Sequence, residues 1–364
     1  MLSSTDADVY HALIMFRDAV TGDPAPIIII QSVIDAGAVP RFVELLKRDS
    51  LALQFEATGV LTNIAAGTHE QTRAVIRHGA LPVLVQLFQS PSSAVYEQAL
   101  WAVGNIAYYS RGRDEALWTG ALETLLGLLT HHHTHLDMAS IGTRVLANLC
   151  CRWPGEQVRL PPEQQLRALR VLAPLVIGYA DETVLGEACR ALDYLTRTSE
   201  ENVKTVASAG MLPRLVKLLG HPSVAVHAAA LRVVRNLLVL GDDHDREAHR
   251  HAVVNLKAVP RFMWLLGSRD RSVREQACRA VAEITAGTQE QIQAVIEASM
   301  VPSLTRLVHP AERAGEGSIR NQAARALSNA VVGGTWWQVA YLVEQGGAVP
   351  LLRGMLDSCG AHTV

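Results

Sequence analysis

Short apolar runs, each introduced by a chain breaker, alternate along this 364-residue chain with longer amphipathic runs of helical period. The short runs read GAVPRFVELL from Gly37, GALPVLVQLF from Gly79, GALETLLGLL from Gly120 and GMLPRLVKLL from Gly210. They continue as KAVPRFMWLL from Lys257, SMVPSLTRLV from Ser299 and GGAVPLLRGML from Gly346, with a degenerate copy, LRALRVLAPLV, over 166–176. A breaker followed by proline in the first turn and then by apolar residues predicts a helix start. The longer runs close on Asn63, Asn105, Asn148, Tyr194, Asn236, Glu283 and Asn329, separated by 42, 43, 46, 42, 47 and 46 residues. A third, short amphipathic element precedes the breaker, as in THEQTRAVIRHG (68–79) and TQEQIQAVIEAS (288–299).

A period of this length with three helices per unit predicts an armadillo repeat. No such unit buries its apolar stripe alone, so neighbours must stack. The expected fold is all-α: a right-handed superhelical solenoid of about eight three-helix repeats. It fills residues 1–364 as a single domain whose incomplete first and last repeats act as caps.

Composition agrees with this and narrows the function. Hydrophobic residues make up 49% and aromatics only 5%, so Ala, Leu and Val supply most of the apolar content, which suits close helix packing. A net charge of −2 offers no global attraction to nucleic acid or membrane. MLSSTDADVY lacks the pattern of a signal peptide, and IIII at 27–30 is too short to span a bilayer. The five cysteines form no CxxC pair and read as small buried hydrophobes of a reduced compartment.

The third helices of such a solenoid line its groove, so the closing asparagines form a ladder along it. An Asn amide carries donor and acceptor, and can pair with a peptide unit of an extended chain. It can also bond the neighbouring repeat, but five asparagines at one phase favour the groove. Trp101 lies one helical turn before Asn105, on the same face.

QFEATGVLTNIAAGTHEQTRAV, YEQALWAVGNIA and GGTWWQVAYLVEQGGAVPLL resemble the armadillo domain of the importin-alpha family, in register from about residue 10 to 356. The resemblance implies a cargo adaptor that binds nuclear localisation signals and works in cytoplasm and nucleus. In that family the asparagines hold the signal's backbone, tryptophans four residues earlier sandwich its lysine stems, and acidic residues meet the ammonium groups. Carried over, the principal site retains Asn63 with Gly67 and Thr72, Gln98 with Trp101 and Asn105, and Asn148. Gly59 and Arg144 replace tryptophans there, and Tyr109 replaces an acid. In the second site Glu187, Arg232, Asn236 and Asn329 match. Arg190, Arg279 and Arg325 replace tryptophans, Tyr194 and Glu283 replace asparagines, and Gln276 and Gln322 stand at acidic positions.

Arginines at 144, 190, 232, 279 and 325 therefore point towards the expected groove. Glu187 is one turn from Arg190 and Glu283 one turn from Arg279, whereas Arg144 has no such neighbour on its own helix. An alternative reading follows: a non-transport armadillo scaffold whose arginine-lined groove binds acidic or phosphorylated segments. Residues 1–16 contain no Lys or Arg, so the basic segment with which the family binds importin-beta is not seen, and no direct importin-beta binding is expected.

Other chemistry is weakly signalled. HHHTH at 131–135 has no second ligand cluster in register, and GDDHDREAHRH (241–251) reads as a solvated turn into a helix. There is no P-loop, dinucleotide turn or nucleophile elbow, so neither an enzyme nor a cofactor is expected. Trp336 and Trp337 are expected to pack the C-terminal cap.

Overall fold

The computed structural model describes residues 4–22, 26–132, 136–151, 159–308 and 316–344. The side chains of the imidazole run at 131–135, the last copy of the short motif from Gly346 and Cys359 lie outside the described residues. The chain forms two compact units, Met1–Leu175 and Val176–Val364. Among the described residues both are built of helices without strands.

Unit 1 begins with a lone long helix, α1 (Ser4–Val20), followed by three triplets. These are α2 (Ile27–Asp35), α3 (Val39–Leu45) and α4 (Leu51–Ala65), then α5 (His69–Arg77), α6 (Ala80–Gln86) and α7 (Ser93–Ile106), then α8 (Ser110–Trp118), α9 (Ala121–His132) and α10 (Leu136–Cys150). The next helix, α11 (Pro162–Gly178), contains the boundary between the units. Unit 2 continues with α12 (Glu182–Thr196) and two triplets: α13 (Glu200–Ser208), α14 (Leu212–Leu218) and α15 (Val224–Val239), then α16 (Asp243–Asn255), α17 (Val259–Leu266) and α18 (Arg271–Thr285). It ends on α19 (Gln289–Glu297), α20 (Val301–Val308), α21 (Gly317–Gly333) and α22 (Trp336–Glu344). The long third helices pack in sequence: α1, α4, α7 and α10 in unit 1, and α12, α15, α18 and α21 in unit 2. This is an all-α solenoid, as the repeat period predicts.

The breaker at the head of each short motif has a definite conformation. Gly37, Gly79, Gly120 and Gly210 all take φ between 71° and 80°, the left-handed region that ends one helix and turns the chain into the next. Lys257 (φ 58°) and Ser299 (φ 55°) hold the same conformation at the same register, where a Cβ is strained. Lys257→Gly should therefore stabilise unit 2 by about 0.5–1 kcal/mol, the relief of strain less the extra freedom glycine gives the unfolded chain. Urea unfolding measures it, and a loss of stability would show that the Lys257 side chain contributes more than its backbone costs.

Local signals set the remaining ends. Pro40, Pro213 and Pro260 occupy the first turns of α3, α14 and α17, where their missing N–H groups cost nothing. Asp181 and Asp270 accept backbone N–H bonds at the starts of α12 and α18. Thr68 with Gln71 and Thr288 with Gln291 form reciprocal capping boxes on α5 and α19. The core is the apolar stripe of each third helix. In α4, Leu53, Ala57, Val60, Leu61 and Ile64 are fully buried, each large aliphatic chain contributing about 1.5–3 kcal/mol. Cys150, Cys151, Cys189 and Cys278 are buried, and burial pushes the Cys189 and Cys278 thiols up to about 12. Trp336 and Trp337, expected to pack as a cap, meet edge to face but are 70% and 76% exposed among the described residues.

Candidate functional site

The third helices carry two columns of side chains one turn apart. In unit 1 the closing column is Thr21, Asn63, Asn105 and Asn148, and the column four residues earlier is Arg17, Gly59, Trp101 and Arg144. Sequence analysis missed Thr21 and Arg17 because α1 has no Gly-Ala-x-Pro motif before it. The signal was the 42-residue step from Thr21 to Asn63.

Each asparagine of this ladder turns its amide nitrogen onto the repeat before it. Asn63 Nδ2 donates to Thr21 Oγ1 (2.9 Å), Asn105 Nδ2 to the Thr62 carbonyl (3.1 Å) and Asn148 Nδ2 to the Gly104 carbonyl (3.0 Å). The two carbonyls belong to the residues just before Asn63 and Asn105, so each rung braces the next. A carbonyl can only accept, which fixes the amide orientation. The donors thus take the second role that the sequence allows, bonding the neighbouring repeat. The oxygens of half-buried Asn63 and Asn105 are the acceptors this face offers.

Trp101 is half-buried, and the Arg144 guanidinium lies over its ring, 4.8 Å from the centroid. Arg144 thus makes this contact across the repeat boundary. Arg17 does the same from the other side. Its guanidinium bonds Glu56 (2.7 Å) and lies 5.6 Å from the Phe55 ring centroid. Its Cδ sits 3.0 Å from where a Cβ on Gly59 would stand. Burial raises the pKa of Glu56, and Arg17 works against that rise.

Two of the residues expected near a ligand, Thr72 and Gly67, make contacts within the scaffold. Thr72 is 1% exposed and donates to the Ala65 carbonyl (3.0 Å), so it has no surface to offer. Gly67 lies against Gln71 Oε1, which is 2.2 Å from where its Cβ would be, and its carbonyl accepts from the Tyr109 hydroxyl (3.1 Å). Gln98 remains half-buried on the ladder side, its carbonyl accepting from Thr62 Oγ1 (3.2 Å).

Unit 2 repeats the columns with different chemistry. Its closing column is Tyr194, Asn236, Glu283 and Asn329, preceded by Arg190, Arg232, Arg279 and Arg325. Asn329 Nδ2 donates to the Ala282 carbonyl (2.9 Å), the same inter-repeat bond as in unit 1. Asn236 is 2% exposed and saturated: its nitrogen meets Asp193 Oδ1 (3.1 Å) and Thr196 Oγ1 (2.9 Å), and its oxygen accepts from Arg235. Expected at the ligand, it is withdrawn into the stack.

Every arginine of the column is engaged. Arg190 Nε donates to Glu187 (2.6 Å), and its guanidinium lies 6.0 Å from the Tyr194 centroid. Burial works against the Arg190 charge, but Glu187 outweighs it and the pKa moves up. Arg232 Nε meets Asp193 (3.0 Å), Arg279 meets Glu275 (2.7 Å) and Arg325 meets Glu283. The expected Arg279–Glu283 pair is replaced because Glu283 faces the arginine of the next repeat. Asp193, which sequence reasoning did not single out, is 1% exposed and also holds Arg197 (2.7 Å). The amide oxygens of Gln276 and Gln322 are buried without a hydrogen-bond partner among the described residues.

Comparison with known proteins decides the family. The Armadillo/beta-catenin-like repeat matches residues 29–66, 68–108, 199–239 and 246–286. Importin subunit alpha-1b of Oryza sativa subsp. japonica is 41% identical over 352 residues, which is 96% of this chain and 63% of that protein. The chain belongs to the importin-alpha-like armadillo family. Importin subunit alpha-1a of the same plant is 42% identical over 286 residues, 78% of this chain and 52% of that protein. Importin subunit alpha-2 of Arabidopsis thaliana is 45% identical over 196 residues, 53% of this chain and 36% of that protein. The chain thus spans less than two thirds of the length of these importin-alpha relatives. Among solved structures, an engineered protein superposes with a TM-score of 0.69 at 26% identity, covering 95% of this chain and 90% of that one. Among the described residues, no helix is long and apolar enough to cross a membrane, and no cluster of His, Cys, Asp and Glu could hold a metal ion.

Proposed function

We propose that this chain is an importin-alpha-like cargo adaptor, taking extended nuclear localisation signal peptides on its ladder face and moving between cytoplasm and nucleus. The observation that carries this reading is the repeated rung of Asn63 and Asn105, whose nitrogens brace the stack and whose half-buried amides turn their oxygens to the ladder face. An extended segment without a sheet partner needs such acceptors. One continuous solenoid over residues 1–364 belongs to the same reading.

The reading is of a binding protein rather than an enzyme, and it calls for no cofactor. The buried Cys189 and Cys278 thiols, at about 12, are not nucleophiles at neutral pH. The pairing of the column arginines supports this reading over the arginine-lined alternative. Arg17, Arg190, Arg232, Arg279 and Arg325 each face a carboxylate, and Arg144 faces an indole. Little uncompensated positive charge is left to draw an acidic peptide.

Fluorescence anisotropy with a labelled peptide of five consecutive lysines, against a peptide of five glutamates, tests the reading. The lysine peptide should bind, and Asn63→Ala combined with Asn105→Ala should weaken it by about tenfold, the worth of one to two net hydrogen bonds. Preference for the glutamate peptide, or indifference to the double substitution, would overturn it.

A further inference from the structure

We infer that unit 2 carries an oxyanion subsite centred on Arg235, and that a phosphorylated serine or threonine of a bound peptide fills it. The subsite is built from α12, α15 and α18 around a residue that sequence reading did not single out. It goes beyond the adaptor reading and does not depend on Asn63 or Asn105.

Arg235 stands one residue before Asn236, outside the arginine column. Its guanidinium is half-buried and, among the described residues, has no carboxylate partner. Its Nη2 donates to Asn236 Oδ1, a neutral acceptor, and its Nε is enclosed without an acceptor. An arginine has five N–H donors and keeps its charge, so the exposed edge still has donors to offer.

Asn236 ties this cation to two others. Its Nδ2 donates to Asp193 Oδ1 (3.1 Å), and Asp193 Oδ2 accepts from Arg232 Nε (3.0 Å) and Arg197 Nη2 (2.7 Å). Three guanidinium groups are thus gathered around a single carboxylate. The column itself is nearly balanced, because Arg232 takes Asp193 and Arg279 takes Glu275. The excess comes from Arg197 and Arg235, which lie outside the column. Burial lowers the Arg235 pKa, Asp193 opposes this, and the charges of Arg279, Arg197 and Arg232 lower it further. The charge is therefore held at a cost that an incoming anion relieves.

A phosphate monoester suits this imbalance better than a carboxylate. It brings close to two negative charges and three acceptor oxygens, and so matches both excess cations. A carboxylate brings one charge and leaves one cation unmatched. The donors are also set in advance. Asp193 holds Arg197 and Arg232, Asn236 holds Arg235, and Arg197 lies 5.1 Å from the Tyr194 ring centroid. Forked donors already in place lose little freedom when an anion arrives.

Titration calorimetry with a pentapeptide of alanines carrying phosphoserine at its centre tests the inference, against the same peptide with glutamate or serine there. The phosphoserine form should bind about tenfold more tightly than the glutamate form, and Arg235→Ala should weaken it by at least about tenfold, the worth of a charge-assisted hydrogen bond. Arg235→Lys, which keeps the charge and loses the fork, should fall between. Arg306→Ala, which removes the same charge from an exposed position on α20, should bind as the parent does. Arg235→Gln replaces Arg235→Ala if that variant melts early. Equal losses in Arg235→Ala and Arg306→Ala would overturn the subsite, since net charge alone would then explain binding. Displacement of the peptide by inorganic phosphate at the peptide's own concentration would overturn the assignment to a peptide. If the five-lysine peptide binds and the phosphoserine peptide does not, the subsite fails and the adaptor reading stands. The reverse result sinks the adaptor reading and leaves the subsite.

Discussion

Asp193→Ala should lower the stability of unit 2 by about 3 kcal/mol, more than any other single side-chain deletion on the ladder face. Asp193 is 1% exposed and sits where three groups converge: Arg232 Nε at 3.0 Å, Arg197 Nη2 at 2.7 Å and Asn236 Nδ2 at 3.1 Å. Removing the carboxylate leaves two guanidinium groups and an amide without their anion. Full burial of all partners would place the loss at the top of the range for broken ion pairs. Arg197 and Arg232 keep 45% and 30% of their side-chain surface in water, so hydration recovers part of it. Asn236, 2% exposed, keeps the Thr196 hydroxyl (2.9 Å) and the backbone carbonyl of residue 193 (3.3 Å) as acceptors, so the remaining cost falls on the two guanidinium groups. Urea unfolding followed by circular dichroism measures the change. Asp193→Asn, which keeps the volume and one acceptor oxygen, should lose about half as much. A loss below about 1 kcal/mol in Asp193→Ala would show that the arginines re-pair elsewhere, Arg197 and Arg232 then behaving as surface cations.

How much of this was legible in the sequence depended on the range of the interaction. The third-helix register was readable because asparagine recurs at one phase, and the helix starts were readable because glycine marks the left-handed turn at Gly37, Gly79, Gly120 and Gly210. Lys257 and Ser299 obey the same geometry without the signal, so only their register shows it. Helix-local pairing, three or four residues apart, predicted Arg190 with Glu187 correctly. It misassigned Arg279, because Glu283 has a competing cation, Arg325, 42 residues on in the adjacent repeat. It was silent on Arg144, whose partner Trp101 lies one repeat back. The ladder donors were out of reach for the same reason: Asn105 answers to the Thr62 carbonyl 43 residues earlier. Thr72 was placed at the ligand by resemblance alone, and its burial under the turn after α4 leaves no sequence signature.

Gly112→Ala should cost about 3 kcal/mol and disable the unit 1 ladder, whereas Gly127→Ala, fifteen residues on, should stabilise the chain by up to about 1 kcal/mol. Both are glycine-to-alanine changes in helices with negative φ, so helix propensity favours alanine equally in each. The difference is what the added methyl meets. At Gly112, in the first turn of α8, a Cβ would stand 2.1 Å from the Ile106 carbonyl oxygen and 3.0 Å from its carbonyl carbon. That is backbone, at the last residue of α7, and it cannot swing aside as the end of a side chain can. Either α8 lifts off α7 or the end of α7 deforms, and α7 carries Trp101 and Asn105. Tyr109, which joins the two helices and bonds the Gly67 carbonyl at 3.1 Å, moves with them. At Gly127, within α9, nothing lies within 4 Å of the Cβ position, so only the propensity gain remains. Because each repeat of a solenoid packs on its neighbours alone, damage at Gly112 should stay local to unit 1. Melting temperatures of the two variants should move in opposite directions, and Gly112→Ala should lose binding of the five-lysine peptide by more than tenfold. Equal melting temperatures would mean that α8 is free to shift without cost, and that the close approach of Gly112 to Ile106 does not constrain the helix that carries the surviving Trp–Asn pair.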